Sequence, residues 1–317
     1  MTLIERLHRA ASDLGSQCRI DEPLGPLTTY RVGGSAAIFV APASRDELDA
    51  VAAVIARYEL PLLVVGRGSN LLVADSGFAG VAISLAEWAD GIEISGVEVH
   101  AGSAVALPVL ARKTAAAGLT GFEWAVGVPG SIGGAVRMNA GGHGSDIAAC
   151  LVRAEIFDLG ELRCTWRPTE SLGLRFRGSD LGDQEIVLTA HLHLAAGDVL
   201  HSEREITEIV RWRRENQPGG QNAGSVFVNP IPGELSAGEL IDRVGLRGFR
   251  IGGAFVSHKH ANFIQAGDGA TAADVKAVID EVRERVARET GFELRSEVRL
   301  VGFSEVDVAP SEGLSHG

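Results

Sequence analysis

The chain has 317 residues, 45% hydrophobic and 22% charged, with a formal net charge of −12. This composition is typical of a soluble globular protein, and the length exceeds what one core usually serves, so we expect two or three domains. The acidic balance disfavours a nucleic-acid partner, three widely spaced cysteines support neither a disulfide framework nor a zinc site, and no apolar run is long enough to span a membrane.

The first predicted elements are an amphipathic helix and a βαβ unit. Apolar residues recur at helical spacing over 2–15, and the frequent charges there exclude a signal peptide, so we expect a cytoplasmic location. A strand in RVGGSAAIFVAPAS leads to a helix with Ser44 as N-cap and Glu47 three residues later, a capping-box pattern. The apolar strand PLLVVG then ends in a glycine loop, which is a ligand-binding position in such a unit.

The rest of the chain mixes short strands with helices. Between 80 and 200, several strands surround one clear helix, ALPVLARKTAAAG. The last predicted helix is capped by Thr271 and ended by Gly291, and the strand ELRSEVRLVG closes the fold. We predict an N-terminal helix over 1–24, a cofactor region over 25–199 with subdomains at about 25–85 and 86–199, a C-terminal domain over 200–305 and a disordered tail over 306–317.

Two glycine-rich loops form the candidate cofactor site. GRGSNLLV, over 66–73, follows a buried strand, and its N–H groups can form an anion-binding nest, although a tight turn between strands is an alternative interpretation. The second loop, over 127–146, has seven glycines in twenty residues, and its apolar residues indicate an ordered, partly buried loop. Two such loops suggest an extended ligand with a pyrophosphate, for which a dinucleotide cofactor is the natural candidate.

Seven motifs occur in order: TTYRVGG, VVGRGSNLLV, EWAVGVPGSIGGAVRMNAGG, FRGSDL, NAGSVFVNP, HANFI and EVRLVG. Together, over roughly residues 25–303, they resemble the UDP-N-acetylenolpyruvoylglucosamine reductase family of peptidoglycan precursor synthesis. The resemblance implies an α+β protein with a vanillyl-alcohol-oxidase-type (PCMH) FAD-binding region of two α/β subdomains and a C-terminal α+β substrate-binding domain. It also implies FAD and NADPH as cofactors and UDP-N-acetylglucosamine enolpyruvate as substrate. A monomer without nucleic-acid or membrane partners is favoured.

The same resemblance implies which residues bind and react. It assigns FAD contacts to Gly66, Arg67, Gly68, Ser69, Asn70, Leu71, Gly127, Pro129, Gly130, Ser131, Gly133, Gly134 and Ala135. It assigns substrate contacts to Asn229, His260 and Asn262, while Arg31, Arg213 and Gln217 are weaker candidates for flavin or substrate contact. His258 and His260 form an HxH pair without an evident third ligand, so we expect no metal site.

Three residues match the family's catalytic positions. The resemblance implies that Ser225 is the proton donor, that Arg177 stabilises developing negative charge, and that Glu297 is a catalytic acid or orders the site. Ser225 could instead be a turn residue, and Arg175 competes with Arg177 for its role.

Glu297 has an alternative interpretation too. It alternates with Arg295 and Arg299 along the predicted last strand, which is also the pattern of a solvated ion-pair ladder.

The chain departs from the family pattern at two places. Val228 stands where many members have lysine, which puts one substrate contact in doubt, and the short segment after FRGSDL indicates the compact subtype. Local cations must then hold the substrate diphosphate, and the candidates are Lys259, Arg243, Arg247 and Arg250. Two rival hypotheses remain: another flavin oxidoreductase on the same scaffold, and a catalytically silent nucleotide-sugar-binding protein.

Overall fold

The computed structural model describes residues 1–303, so the predicted disordered tail over 306–317 lies outside the described residues. Residues 1–303 contain seven α-helices: α1 (Leu3–Leu14), α2 (Arg45–Tyr58), α3 (Leu107–Ala116), α4 (Ile132–Met138), α5 (Val199–Asn216), α6 (Ala237–Arg243) and α7 (Ala272–Thr290). Within the same residues, no helix combines the length and apolarity needed to cross a bilayer.

Eighteen β-strands are distributed over the same part of the chain. The first ten are β1 (Cys18–Pro23), β2 (Ser35–Val40), β3 (Leu62–Val64), β4 (Leu71–Val73), β5 (Phe78–Ile83), β6 (Ile92–Ser95), β7 (Glu98–Gly102), β8 (Leu119–Thr120), β9 (Gly141–Gly142) and β10 (Ser145–Asp146). The others are β11 (Leu151–Asp158), β12 (Arg163–Pro168), β13 (Glu185–His193), β14 (Ala195–Ala196), β15 (Arg250–Ile251), β16 (Ala254–Val256), β17 (Ile264–Ala266) and β18 (Arg299–Val301). The predicted α+β class is confirmed.

The first unit of the fold contains the predicted βαβ arrangement. Its four-stranded sheet has the order β1-β2-β5-β3, and β2 and β3 both pair in parallel with β5. Helix α2 begins as predicted, since the Ser44 hydroxyl accepts a hydrogen bond from the Glu47 amide. The Glu47 carboxylate accepts from the Ala43 amide instead of closing the box on Ser44. The first glycine loop therefore begins where β3, a parallel strand of this sheet, ends.

The second unit is a five-stranded antiparallel sheet in the order β12-β11-β13-β7-β6; α4 packs on this sheet, and α3 and α5 pack on each other within the same hydrophobic core. Helix α4 lies inside the second glycine-rich segment, which the sequence predicted only as an ordered loop. Ile206 and Ile209 of α5 belong to the core of this unit. The predicted domain boundary near residue 200 stays a prediction. Because α5 packs in the core of the second unit, a boundary after this helix is favoured.

The C-terminal unit packs α6 and α7 against the three-stranded sheet β15-β16-β17. Helix α7 begins and ends as predicted: Thr271 forms a capping box, and Gly291 has the left-handed φ of 76°. The Asp75 carboxylate, from the first unit, accepts hydrogen bonds from the amides of Ala272 and Ala273 at 2.9 Å each. This contact fixes the start of α7 against the cofactor region.

The predicted last strand is wrong over its first half. Only Arg299–Val301 form β18, which pairs in parallel with β4, directly after the first glycine loop. Upstream of β18, Ser296 makes a single antiparallel bridge to Phe227. Residues 296–301 are thus divided between two units, and this arrangement places Glu297 between them.

Candidate active site

The two glycine loops line one cavity of about 410 Å³. Six of the predicted cofactor residues lie on its wall: Gly66, Arg67, Pro129, Ser131, Gly133 and Gly134. The loops approach each other closely, because a Cβ placed on Gly66 would lie 2.6 Å from the Ser131 hydroxyl. Gly68, with φ of 60°, passes the Leu27 carbonyl so closely that only glycine fits. The glycines thus allow the two loops and residues 27–28 to pack closely around the cavity.

The cavity wall suits a group that carries phosphates. The hydroxyls of Thr29 and Ser103 line the cavity and are buried without a hydrogen-bond partner within residues 1–303. Buried hydroxyls are normally satisfied, so both are available to a ligand. Four arginines line the wall, Arg31, Arg67, Arg137 and Arg299, together with the carboxylates Asp183 and Glu185, of which Asp183 pairs with both Arg137 and Arg299. Apolar lining residues, including Leu62, Leu85 and Ile186, complete a site suited to a large planar cofactor.

The remaining predicted cofactor residues are not among those that line the cavity. The Gly130 carbonyl accepts a hydrogen bond from the Leu107 amide, and Ala135 is buried in α4. Gly127 is close to His143 and to Arg213, whose guanidinium has a lowered pKa because it is largely buried. Contacts of these residues with the cofactor remain a prediction.

Ser69, Asn70 and Leu71 form the end of the first loop. The Ser69 hydroxyl lies beside Gly130, and Leu71 begins β4. The side chain of Asn70 points away to the C-terminal segment, where its Nδ2 donates to the Glu297 carbonyl at 2.9 Å.

Arg177 and Glu297 meet although they are 120 positions apart. Arg177 Nε donates to Glu297 Oε2 at 2.9 Å, and Arg177 Nη1 donates to the Gly141 carbonyl at 3.1 Å. Arg177 has a positive φ of 57°, which is strained for a residue with a Cβ and is held here by these contacts. Arg175 instead pairs with Asp180 on an exposed loop. The geometry therefore favours Arg177 over Arg175 as the site arginine.

Glu297 carries an unusual carboxyl group. Burial raises its pKa, and the opposing effects of the Arg177 and Arg295 guanidiniums only partly offset this. Its side chain is 14% exposed. The ladder interpretation is not supported, since Glu297 pairs with Arg177 from the second unit. A partly buried carboxyl with a raised pKa is a typical candidate for proton chemistry.

The serine segment runs beside Glu297. Ser225 is exposed, and the carbonyl of the next residue, Val226, accepts a hydrogen bond from the Glu297 amide at 2.8 Å. Asn262 fixes this segment, because its side chain exchanges hydrogen bonds with the Phe227 main chain at 2.9 and 2.8 Å. Asn262 thus supports the serine segment, and its predicted substrate contact remains a prediction.

The two other predicted substrate residues lie on the same side of the C-terminal unit. Asn229 is exposed, and its Oδ1 accepts from the Ala237 amide at the start of α6. His260 packs edge-on against Phe263, and burial lowers the pKa of its imidazole. Its Nδ1 accepts from the Asn262 amide. Both residues retain polar atoms for a ligand.

The cations proposed from sequence for the diphosphate are already engaged. Arg247 pairs with Asp242 through two hydrogen bonds, and Arg243 pairs with Glu239. Lys259 donates to the Arg214 carbonyl. Arg250 stacks on the ring of Phe255.

Arg295 stands apart from these cations. Its side chain is exposed and has no ion-pair or hydrogen-bond partner in the described part of the chain. Its carbonyl accepts from the Val228 amide at 3.0 Å, so it faces the residue that replaces the family's lysine.

Several site residues escaped the sequence reasoning. Ser103 lies in an unremarkable segment, and Arg137, although it lies within the second glycine-rich loop, was not singled out there; both line the cavity. The only sequence pattern that pointed to Arg299 was its alternation with Glu297 in the segment ELRSEVRLVG. Arg137 and Arg299 both bind Asp183, at 3.0 and 2.9 Å, and so join the second unit to β18.

The fold, the paired glycine loops and a matching family model define a flavin-dependent oxidoreductase with an FAD-binding region. Residues 36–161 match the family model described as an FAD binding domain. Residues 216–301 match the model of the UDP-N-acetylenolpyruvoylglucosamine reductase C-terminal domain.

Individual relatives extend this similarity over the whole fold. The chain is 44% identical to the UDP-N-acetylenolpyruvoylglucosamine reductase of Heliobacterium modesticaldum, over 92% of this chain and 93% of the relative. It is 38% identical to the Bacillus subtilis enzyme of the same name, over 89% and 93%. The crystal structure of the Thermus caldophilus reductase superimposes with a TM-score of 0.77 at 35% identity, covering 90% of this chain and 99% of that one. The chain belongs to the UDP-N-acetylenolpyruvoylglucosamine reductase family.

Proposed function

We propose that this protein reduces the enolpyruvyl double bond of UDP-N-acetylglucosamine enolpyruvate, with NADPH as reductant, to form UDP-N-acetylmuramate for peptidoglycan synthesis. The observation that carries the proposal is the meeting of the serine segment, Arg177 and Glu297 beside the cofactor loops. A cytoplasmic location fits a pathway that starts from a nucleotide sugar and NADPH.

The cavity between the glycine loops would hold FAD. Thr29, Ser103 and the wall arginines would bind its polar parts, and the apolar wall its ring system. When bound, FAD supplies hydride transfer between NADPH and the substrate. The net reaction adds one hydride and one proton across the carbon–carbon double bond.

The chain's own residues manage the charge and the proton. Hydride addition leaves negative charge on the carbon next to the substrate carboxylate and on that carboxylate. Arg177 uses Nε and Nη1 to hold itself in place, so Nη2 offers its donors to this charge, and the guanidinium cannot be deprotonated. Glu297 orients Arg177 through the bond to Nε and can hold a proton, since burial raises its pKa.

Ser225 delivers the proton to the carbon next to the carboxylate. Its hydroxyl is exposed, so the bound substrate must cover it and exclude water. The Asn262 bonds hold the serine segment at Phe227, and the bond from the Glu297 amide to the Val226 carbonyl ties this segment to Glu297. Asn229 lies in this segment, Arg295 is bonded to it through Val228, and His260 lies two residues before Asn262; all three are proposed contacts for the polar and anionic parts of the substrate.

The first test is oxidation of NADPH by the purified, FAD-loaded protein, followed by absorbance with and without UDP-N-acetylglucosamine enolpyruvate. Strong stimulation by this compound, with UDP-N-acetylmuramate as product, is expected. Turnover with a different acceptor would favour another flavin oxidoreductase. Bound flavin with no turnover would favour a silent nucleotide-sugar-binding protein.

A further inference from the structure

Asn70 makes a contact that cofactor binding does not explain. It ends the first glycine loop, yet its Nδ2 donates to the Glu297 carbonyl at 2.9 Å. Its own carbonyl accepts from the Arg299 amide at 3.0 Å. The two bonds bracket Glu297 and Val298, which precede the parallel pair β18–β4. The cofactor loop is therefore bonded to the segment that carries the predicted catalytic carboxylate.

Within residues 1–303, four other bonds involve the main chain of this segment. The amide of Glu297 donates to the Val226 carbonyl, and the carbonyl of Arg295 accepts from the Val228 amide. Arg283 Nε donates to the Leu294 carbonyl, and the Val298 amide donates to the hydroxyl of Ser296, within the segment. Residues 293–298 form no regular strand, so each remaining bond has a large share in setting their position. Glu297 is thereby held from two sides, by its amide on the serine segment and by its carbonyl on Asn70.

We propose that Asn70 is a positioning residue, which sets the Glu297 backbone relative to the cofactor loop and so places the carboxylate against Arg177. The consequence for catalysis rests on the proposed function. The placement of the Glu297 backbone by Asn70 rests on the hydrogen bonds alone. A side-chain amide suits the task because it supplies a directed donor to a carbonyl, which a carboxylate of equal size does not.

The test uses the full-length, FAD-loaded protein with Asn70→Ala and Asn70→Asp. Asn216→Ala is the matched control, because the Asn216 side chain also donates to a carbonyl, that of Trp212, at 2.8 Å. The first readout is hydrogen exchange by mass spectrometry in the substrate-free protein. We expect faster exchange over 293–298 in both Asn70 variants, and wild-type exchange there in the control.

The second readout separates the two half-reactions by stopped-flow absorbance. At equal FAD occupancy, we expect substrate-dependent reoxidation to fall about 10-fold in Asn70→Ala, in line with the loss of one well-formed hydrogen bond, and to fall more than flavin reduction by NADPH does. The fall should be larger in Asn70→Asp, because a carboxylate then faces the Glu297 carbonyl. Asn70→Ser, which keeps a shorter donor, should lie between Asn70→Ala and the wild type.

The pH profile of reoxidation provides a third readout. Burial raises the pKa of Glu297, and the charged groups near it are Arg177 and Arg295. A carboxyl released toward solvent should titrate closer to its ordinary value, so the limb of the profile that reports Glu297 should move to lower pH in Asn70→Ala.

Three outcomes would overturn the positioning role. They are unchanged exchange over 293–298, unchanged reoxidation, or an equal loss of both half-reactions that follows loss of FAD. Failure of the proposed function is recognised separately, because the wild type would then show no substrate-dependent reoxidation while the exchange result could still be read.

Discussion

The Arg177 guanidinium donates to the Glu297 carboxylate across 2.9 Å, and this bond joins the second unit of the fold to the C-terminal segment. Its geometry costs conformational energy, since Arg177 adopts a left-handed φ of 57°. The carboxylate is also placed where burial opposes its charge. A strained backbone at Arg177 and a buried charge at Glu297, kept in one ion pair, are typical of a functional site.

Ser225→Ala is expected to separate the two half-reactions. Flavin reduction by NADPH should persist, because the serine takes no part in it, while product formation should fall about 10²- to 10⁴-fold through loss of the proton donor. Stopped-flow measurement of each half-reaction gives the result. Ser171→Ala, an exposed serine on the second unit, should match the wild type. An equal loss of both half-reactions in Ser225→Ala would contradict the assigned role.

Arg177→Lys should lower kcat about 100-fold, because a lysine cannot reproduce the directed donors that meet the developing charge. Arg175→Lys is the matched control from the same loop and should keep kcat within about 2-fold, as its pairing with Asp180 is exposed. Steady-state kinetics with both variants decides between the two arginines. The reverse pattern would assign the role to Arg175.

Glu297→Gln should abolish turnover and yet stabilise the protein at neutral pH. The folded-state pKa of Glu297 is raised, so the neutral form is favoured by folding, and this stability is lost as pH rises through the folded pKa. Glutamine stays neutral, so the variant should gain stability over the wild type at pH 8 and little at about pH 4, near the ordinary glutamate pKa. Thermal unfolding at both pH values measures this.

The control for this pH dependence is Glu293→Gln, at an exposed position of the same segment. A stability difference in Glu297→Gln that is the same at both pH values would show that ionisation of the carboxyl is not its cause.

Arg295→Ala should raise the KM for the nucleotide-sugar substrate about 10-fold with little change in kcat, since a lost exposed contact to an anion costs binding more than chemistry. Val228→Lys, added to Arg295→Ala, should restore much of the loss because residue 228 lies across from residue 295. Arg211→Ala is the control, as this exposed arginine also lacks an ion-pair partner in residues 1–303. No rescue by Val228→Lys would argue against a shared anion contact.

Helix ends were predictable because their signals are local. Thr271 and Gly291 bound α7 as expected, since a hydroxyl cap and a left-handed glycine act within one turn of the helix. The short helix α4 was missed because glycines at 133 and 134 lower helix propensity, and burial of Ile132 and Val136 in the core compensates for it.

The last strand was predicted too long, because strand pairing depends on distant segments and not on a local signal. The alternation in ELRSEVRLVG is typical of a strand, but only Arg299–Val301 find a partner, β4, while Glu297 is drawn to Val226 and Asn70. A period-two pattern does not specify which neighbour is available, because pairing partners come from distant segments.

The sequence by itself determined the α+β class, the two glycine loops, and, through the resemblance of its motifs, the family and the three proposed catalytic residues. These depend on residue type and order, which each short motif carries independently. Only the tertiary structure decided that Arg177 rather than Arg175 meets Glu297, that Asn70 holds Glu297 to the cofactor loop, and that Arg295 faces Val228. Each of these is a contact between distant segments, and its geometry is set by the packing of three units whose relative placement no local pattern encodes.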